Sequence, residues 1–181
     1  AWGTPEQKAT HLPGLMAGDV WCQGFSEPGA GSDLAALQTR AVRDGETYVV
    51  SGQKVWSSWS RHAKFCLLLV RTDPQAPRHK GITFLLVPMD QPGVEVRPIK
   101  MMSGDSEFNE VFFTDARCPK EFVLGQVNGG WAVAMTLLGF ERGEAAAVVP
   151  SHFREELDRL VRLAKRTGAD VDPILRNRIA D

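Results

Sequence analysis

The hydrophobic period of this chain changes from strand to helix at Gly129-Gly130, and that change separates a long sheet-forming stretch from the helical one that follows. Before it, apolar residues come in strand-length runs bounded by turn signals. Asp44-Gly45 marks a hairpin turn between Thr39–Arg43 and Thr47–Ser57. Phe65–Arg71, FCLLLVR, is almost continuously apolar, as a buried strand requires. A polar loop, TDPQAPRHK, leads to a second buried strand at Gly81–Val87. Pro92-Gly93 turns the chain into Val94–Ile99, and Glu110–Thr114 gives a further strand. After Gly129-Gly130 the spacing is helical. Trp131–Phe140 is apolar on nearly every side and is expected to be buried. Phe153, Leu157, Leu160 and Ala164 then form a stripe, with Arg154, Glu155, Arg159, Arg162 and Lys165 on the wet side. Pro150 is expected to kink or interrupt this region. Near the start, Thr4 as N-cap and Pro5 at the first helical position predict a helix to about Met16, before Gly18. Asp172-Pro173 opens another, running to Asp181 without a stop signal, so both ends read as cut. The pattern is a β-barrel or sandwich followed by helices.

Composition narrows the function. At 181 residues the chain is one domain, or one and part of another, and can bury roughly 70% of its unfolded surface. Lys plus Arg is 21 against 22 for Asp plus Glu, so the basic excess of a nucleic-acid binder is lacking. The apolar run Trp131–Phe140 is far shorter than the about 20 residues a membrane span needs. The first residues, AWGTP, do not read as a signal peptide. Cys22, Cys66 and Cys118 are odd in number and widely spaced, which argues against a disulfide framework and a Cys-x-x-Cys site. His11, His62, His79 and His152 are equally scattered. A cytoplasmic, metal-free protein is expected.

Two segments can carry chemistry. In Trp21–Leu34, WCQGFSEPGAGSDL, an apolar strand runs into a turn with small residues at Gly29, Ala30 and Gly31. Such a turn lets backbone N–H groups approach an anion, and Ser32 adds a hydroxyl. A glycine-bearing turn is also, more often, only a turn. It is not the dinucleotide fingerprint, since Gly29-x-Gly31-x-x-Leu34 lacks the third glycine and no Gly-Lys-Ser/Thr follows. In Gly52–Trp59, GQKVWSSW, strand alternation would put Lys54, Trp56 and Ser58 on one face and Gln53, Val55 and Ser57 on the other. A Trp beside hydroxyls can cover a planar ring and bond its polar edge, although a strand Trp can equally be core or surface.

Together, SEPGAGSD at Ser26–Asp33 and the following GQKVWSS resemble the flavin-binding signature of the acyl-CoA dehydrogenase family. The resemblance continues through Lys80–Ile99, Asn109–Gly125 and Asn128–Gly143, and covers nearly the whole chain. It implies an α+β fold, with a mainly antiparallel β-barrel-like middle domain flanked by helices. By this comparison residues 1–17 end an N-terminal helical domain, 18–127 form the flavin-binding domain, and 128–181 begin a truncated C-terminal helical domain.

The implied cofactor is FAD. Gln23, Gly24, Phe25, Ser26, Gly31 and Ser32 match the first flavin-binding stretch, with Ser26 where the family commonly has Thr. Trp56, Ser57 and Ser58 match the second; Ser57 is smaller than usual, and Trp59 stands where a polar or small residue is more common. Gly31 is expected to need positive φ or a close backbone approach. Ser32, Gly139 and Arg142 match acyl-CoA contacts, and Arg142 suits a CoA phosphate or a structural ion pair. The implied reaction is α,β-dehydrogenation of an acyl-CoA thioester, with electrons passing to an electron-transferring flavoprotein and the full-length protein a homo- or hetero-tetramer.

The matching catalytic base is Glu141, the Glu of a Glu-Arg pair that one subgroup uses; other members carry the base beyond where this chain stops. Glu141 is expected to end a buried helix before a turn at Gly143, where apolar surroundings make a better proton acceptor than water does. The rival readings are an acyl-CoA oxidase with oxygen as acceptor, a non-catalytic subunit of a heteromer, and a β-barrel binding module without flavin.

Overall fold

A computed structural model describes residues 1–180, with side chains at all of these but 144–147 and 180. Two compact units form, Ala1–Met135 and a second beginning at Thr136.

The first unit is a seven-stranded mixed sheet curled into a half-barrel. Its strands are β1 (Trp21–Gly24), β2 (Arg40–Asp44), β3 (Thr47–Lys54), β4 (Phe65–Arg71), β5 (Ile82–Pro88), β6 (Val94–Pro98) and β7 (Asn109–Pro119). The order is β1-β4-β2-β3-β7-β6, with β5 on the free edge of β4. The ladders β2–β3, β3–β7, β4–β5 and β6–β7 are antiparallel; β1 runs parallel to β4, and β2 meets β4 in parallel at Arg40 and Arg71. Apolar content decides position. FCLLLVR and ITFLLVP pair with each other in the most buried part of the sheet, where Leu68, Leu69, Val70, Ile82, Leu85 and Val87 have no exposed surface. VEVRP makes the edge strand β6, whose Glu95–Arg97 ion pair keeps the free edge charged and wet. The thiols of Cys22, Cys66 and Cys118 are free and buried in this core. Burial pushes the Cys118 thiol up to about 12.

Two strands differ from the sequence expectation for one reason each. β7 runs on through DARCP to Pro119, beyond the expected end at Thr114, because Asp115 takes a left-handed φ of 53°. Thr114 and Asp115 together oppose Ser51, a bulge that absorbs one residue and lets pairing resume at Ala116–Val50. The Ser51 hydroxyl donates to Asp115 Oδ1 at 2.9 Å and secures the bulge. β3 stops at Lys54 instead of Ser57, since Trp56 has φ 63° and leaves the strand.

Helix α1 (Pro5–Met16) starts as its caps dictate. Thr4 and Gln7 form a capping box, and the same Gln7 side chain donates from Nε2 to the carbonyls of Glu121 and Val123 at 2.7 and 2.8 Å. One carboxamide thus joins the helix start to the segment after β7. His11 anchors the other side, packed edge-on against Trp21, Phe65 and Phe122 at centroid distances of 5.3, 4.9 and 4.9 Å. Its Nε2 is buried without a partner, and desolvation lowers its pKa below the ordinary histidine value.

Helix α2 spans Gly130–Thr167 and α3 spans Pro173–Ala180. Asp172 caps α3, accepting the N–H of Ile174 at 2.8 Å; the expected last residue of that helix, Asp181, lies outside the described residues. Three helical expectations are corrected. Of the kink or interruption expected at Pro150 the interruption does not occur, since α2 runs through it, and α2 also passes Gly143 without a turn. A glycine costs a helix only about 1 kcal/mol, too little to stop a segment rich in strong helix formers. Nor is the apolar Trp131–Phe140 segment buried as a whole. Val133 and Ala134 are, but Met135 is exposed and Phe140 is 72% exposed. Of the later stripe only Ala164 is buried; Phe153, Leu157 and Leu160 are open. No helix among the described residues is long and apolar enough to cross a membrane.

His11 gives the fold a testable pH dependence. Its folded pKa is depressed, so its contribution is complete above the unfolded value of about 6.5 and is lost as pH falls through the window below it. The melting temperature of the protein should therefore fall with acidification across that window more steeply than in a His11→Phe variant, which keeps the aromatic packing. Parallel pH profiles would show that His11 does not control the docking of α1.

Candidate functional site

Two stretches meet where β1 and β3 leave the sheet. β1 ends at Gly24, and Phe25, Ser26 and Glu27 continue into a tight turn closed by paired Glu27–Ala30 backbone bonds of 3.0 Å. β3 ends at Lys54, and the Val55 N–H donates to the Ser26 carbonyl at 2.9 Å. Gln23–Ser26 and Trp56–Ser58, expected to act together, are thus joined through their backbones. Gly24 is where this crossing demands a glycine: an added Cβ would stand 2.5 Å from Leu68 Cδ1 and 2.7 Å from Cys66 Sγ.

Beneath the junction lies an ion pair that the sequence reading did not single out. Lys54 is 0% exposed, and its Nζ donates to Glu27 Oε1 at 2.8 Å and to the Phe25 carbonyl at 3.0 Å. Glu27 also accepts the N–H groups of Gln38 and Thr39, at 2.6 and 2.9 Å. Burial alone would raise the Glu27 carboxyl, but the Lys54 charge and these donors outweigh it and hold Glu27 below the ordinary carboxylate range. For Lys54, burial is the larger influence and lowers it, against the pull of Glu27. The signal was present in the sequence: Tyr48, Val50 and Lys54 share the inward phase of β3, and an inward lysine requires an acid.

The strand alternation expected for Lys54, Trp56 and Ser58 fails, because left-handed φ values of 63° at Trp56 and 58° at Trp59 break the pleat. Trp56 is 59% exposed, Ser57 is buried and Ser58 half-buried. Asn109, fully buried and also missed, holds this turn. Ser57 and Asn109 exchange backbone bonds of 3.0 and 3.1 Å, and Asn109 Nδ2 donates again to the Ser57 carbonyl at 3.0 Å. Ser57 Oγ and Asn109 Oδ1 are buried without partners. The Trp56 ring meets Phe108 edge-on at 6.2 Å. Trp59, the departure from the usual pattern, is 58% exposed beside His62.

Gly31 and Ser32 lie exposed on the turn, next to an Asp33–Arg78 ion pair. The conformational demand expected of Gly31 is corrected: its φ is not left-handed, and beyond its chain neighbours no atom of the described residues lies within 4 Å of where a Cβ would be. Gly139, Glu141 and Arg142 are on α2, all exposed, in the second unit. Glu141 is mid-helix instead of at a helix end, and the apolar enclosure expected around it is not formed.

Comparison with known proteins adds to this geometry. Residues 22–116 match the family model for the middle domain of acyl-CoA dehydrogenases. The chain is 48% identical over 180 residues to acyl-CoA dehydrogenase IpdE1 of Mycobacterium tuberculosis, covering 99% of this chain and 47% of that protein. Among solved structures, a steroid ACAD titled Tcur3481-Tcur3483 superposes with a TM-score of 0.89 at 39% identity, over 99% of this chain and 46% of that one. A glutaryl-CoA dehydrogenase from Mycobacterium smegmatis, in complex with FADH2, superposes with a TM-score of 0.62 at 34% identity, over 71% of this chain and 32% of that one. The chain spans about half the length of the curated relatives it matches first.

The two glycines should separate by experiment. Gly24→Ala should destabilise the parent by about 1–3 kcal/mol through overpacking against Leu68 and Cys66, whereas Gly31→Ala should leave its melting temperature unchanged. Equal melting temperatures for the two variants would contradict the geometry at Gly24.

Proposed function

The chain belongs to the acyl-CoA dehydrogenase family, and on that basis we propose that its parent protein binds FAD and carries out α,β-dehydrogenation of an acyl-CoA thioester. The observation that carries this reading is the joining of the two signature stretches by the Val55–Ser26 bond, beside the exposed Trp56 ring. A bulky residue held open on left-handed backbone costs roughly 1–3 kcal/mol, a strain expected where a side chain is reserved for a ligand. The residues fit a flavin: an exposed indole offers a planar face, the Ser26 and Ser58 hydroxyls offer bonds to a polar edge, and the orphaned Ser57 Oγ adds unused capacity. Gln23, Gly24, Phe25, Gly31 and Ser32 complete the flavin-facing set.

FAD, when bound, supplies the two-electron acceptor for the substrate's β-hydride at N5. The chain's residues do the rest. Trp56 and the serines orient the ring, and Ser32, Gly139 and Arg142 hold the acyl-CoA. Glu141 takes the α-proton on its carboxylate. Because Glu141 is exposed in this chain, its enclosure must come from the remainder of the parent or from a partner subunit. Electrons leave to an electron-transferring flavoprotein. The paired name of the steroid ACAD Tcur3481-Tcur3483 supports a hetero-oligomer acting on a steroid-derived acyl-CoA.

The purified parent should be yellow and should bleach anaerobically with its acyl-CoA. Glu141→Gln should retain FAD and acyl-CoA binding yet slow flavin reduction by roughly a thousandfold. Reduction at the parent rate would make Glu141 structural. Trp56→Ala should weaken FAD retention, and Ser58→Ala should shift the flavin absorption bands while leaving the fold intact. Undiminished FAD content and unchanged spectra in both would overturn the assignment.

A further inference from the structure

We propose that the buried Lys54–Glu27 pair is a positioning device, which sets the backbone of the flavin-facing stretch before any ligand arrives; the inference rests on the FAD reading above. Lys54 is the last residue of β3, two positions before Trp56. Its ammonium binds the Phe25 carbonyl, and the next N–H, of Val55, binds the next carbonyl, of Ser26. Consecutive carbonyls of one stretch are therefore tied to consecutive residues of the other, which leaves the Phe25–Ser26 backbone little freedom to rotate. Glu27 closes the arrangement from the opposite side. Its carboxylate accepts from Lys54, Gln38 and Thr39, so it pins the neck of the loop between residues 27 and 39. The exposed turn with Gly31 and Ser32 is presented from that neck.

A purely stabilising role is a weaker account of these contacts. Desolvating two charges offsets much of their attraction, and apolar replacements of buried pairs are often neutral for stability. An apolar pair could fill the volume, but it could not hold the Phe25 carbonyl or define the neck. Neither residue touches the reacting atoms in this reading; both act through Phe25, Ser26 and the turn.

The test compares the full-length parent with Lys54→Met, Glu27→Gln and the double variant, in three measurements. These are melting of the apoprotein, FAD affinity by fluorescence quenching, and the midpoint potential of the bound flavin. Each single variant leaves one side of the pair without its partner and should melt lower. The double variant removes both charges and should recover most of that melting temperature. Even so, it should bind FAD at least about tenfold more weakly, the equivalent of one misplaced hydrogen bond, and show a shifted potential. A double variant with parental affinity and potential overturns the inference alone. One that fails to fold also overturns it, by making the pair a stability element. An unsubstituted parent that retains no FAD overturns the flavin reading, and the inference with it.

Discussion

A lysine without exposed surface is the constraint around which this sheet is arranged. An ammonium cannot stay charged in a core unless an acid and further acceptors reach it, and the chain supplies both from one short segment. That demand brings the exit of β1 against the end of β3 and folds the segment between residues 27 and 39 back on itself. The carboxylate then uses its remaining acceptor sites on backbone donors that would otherwise be buried unpaired. Breaking such a pair from one side costs about 3–5 kcal/mol, so neither residue can drift independently of the other. The sheet edge, the loop neck and the tryptophan-bearing turn are therefore one mechanical unit.

Much of that unit was legible in the residues. The β4 boundaries fell at Phe65 and Arg71 as read, since a run of seven largely apolar residues between polar ends has no other place than the centre of a sheet. Thr4, Pro5 and Gly18 bounded α1 correctly because capping is local chemistry. What escaped the reading depended on contacts distant in sequence. The bulge at Thr114–Asp115 is visible only once β3 lies alongside, and the departure of Trp56 from the strand needs Asn109 on its far side. Gly31 drew attention for its neighbours in the motif, while the crowded position was Gly24, whose obstacle is a strand 44 residues away in sequence at Leu68.

The helical part was legible in pattern and misread in environment. Periodicity locates the apolar face of a helix but does not say what covers it. Phe153, Leu157 and Leu160 lie on such a face, open, in a chain about half the length of the curated relatives it matches first. The same limit applies to Glu141, which is exposed on the same helix. The half-barrel, by contrast, buries its core with its own residues, and the turn that carries Trp56 is held to Ser26 and Asn109 by hydrogen bonds within it.

The three cysteines have a consequence of their own. Each thiol sits in the β-core; a hydrogen bond with the Cys22 thiol, together with burial, raises Cys66 well above the usual thiol range, while burial raises Cys118. All three thiols are buried, so none of them is within reach of an alkylating or oxidising reagent while the half-barrel is folded. Labelling of this protein by a maleimide therefore counts the molecules whose sheet has opened, and its cysteines serve as an internal clock for global unfolding.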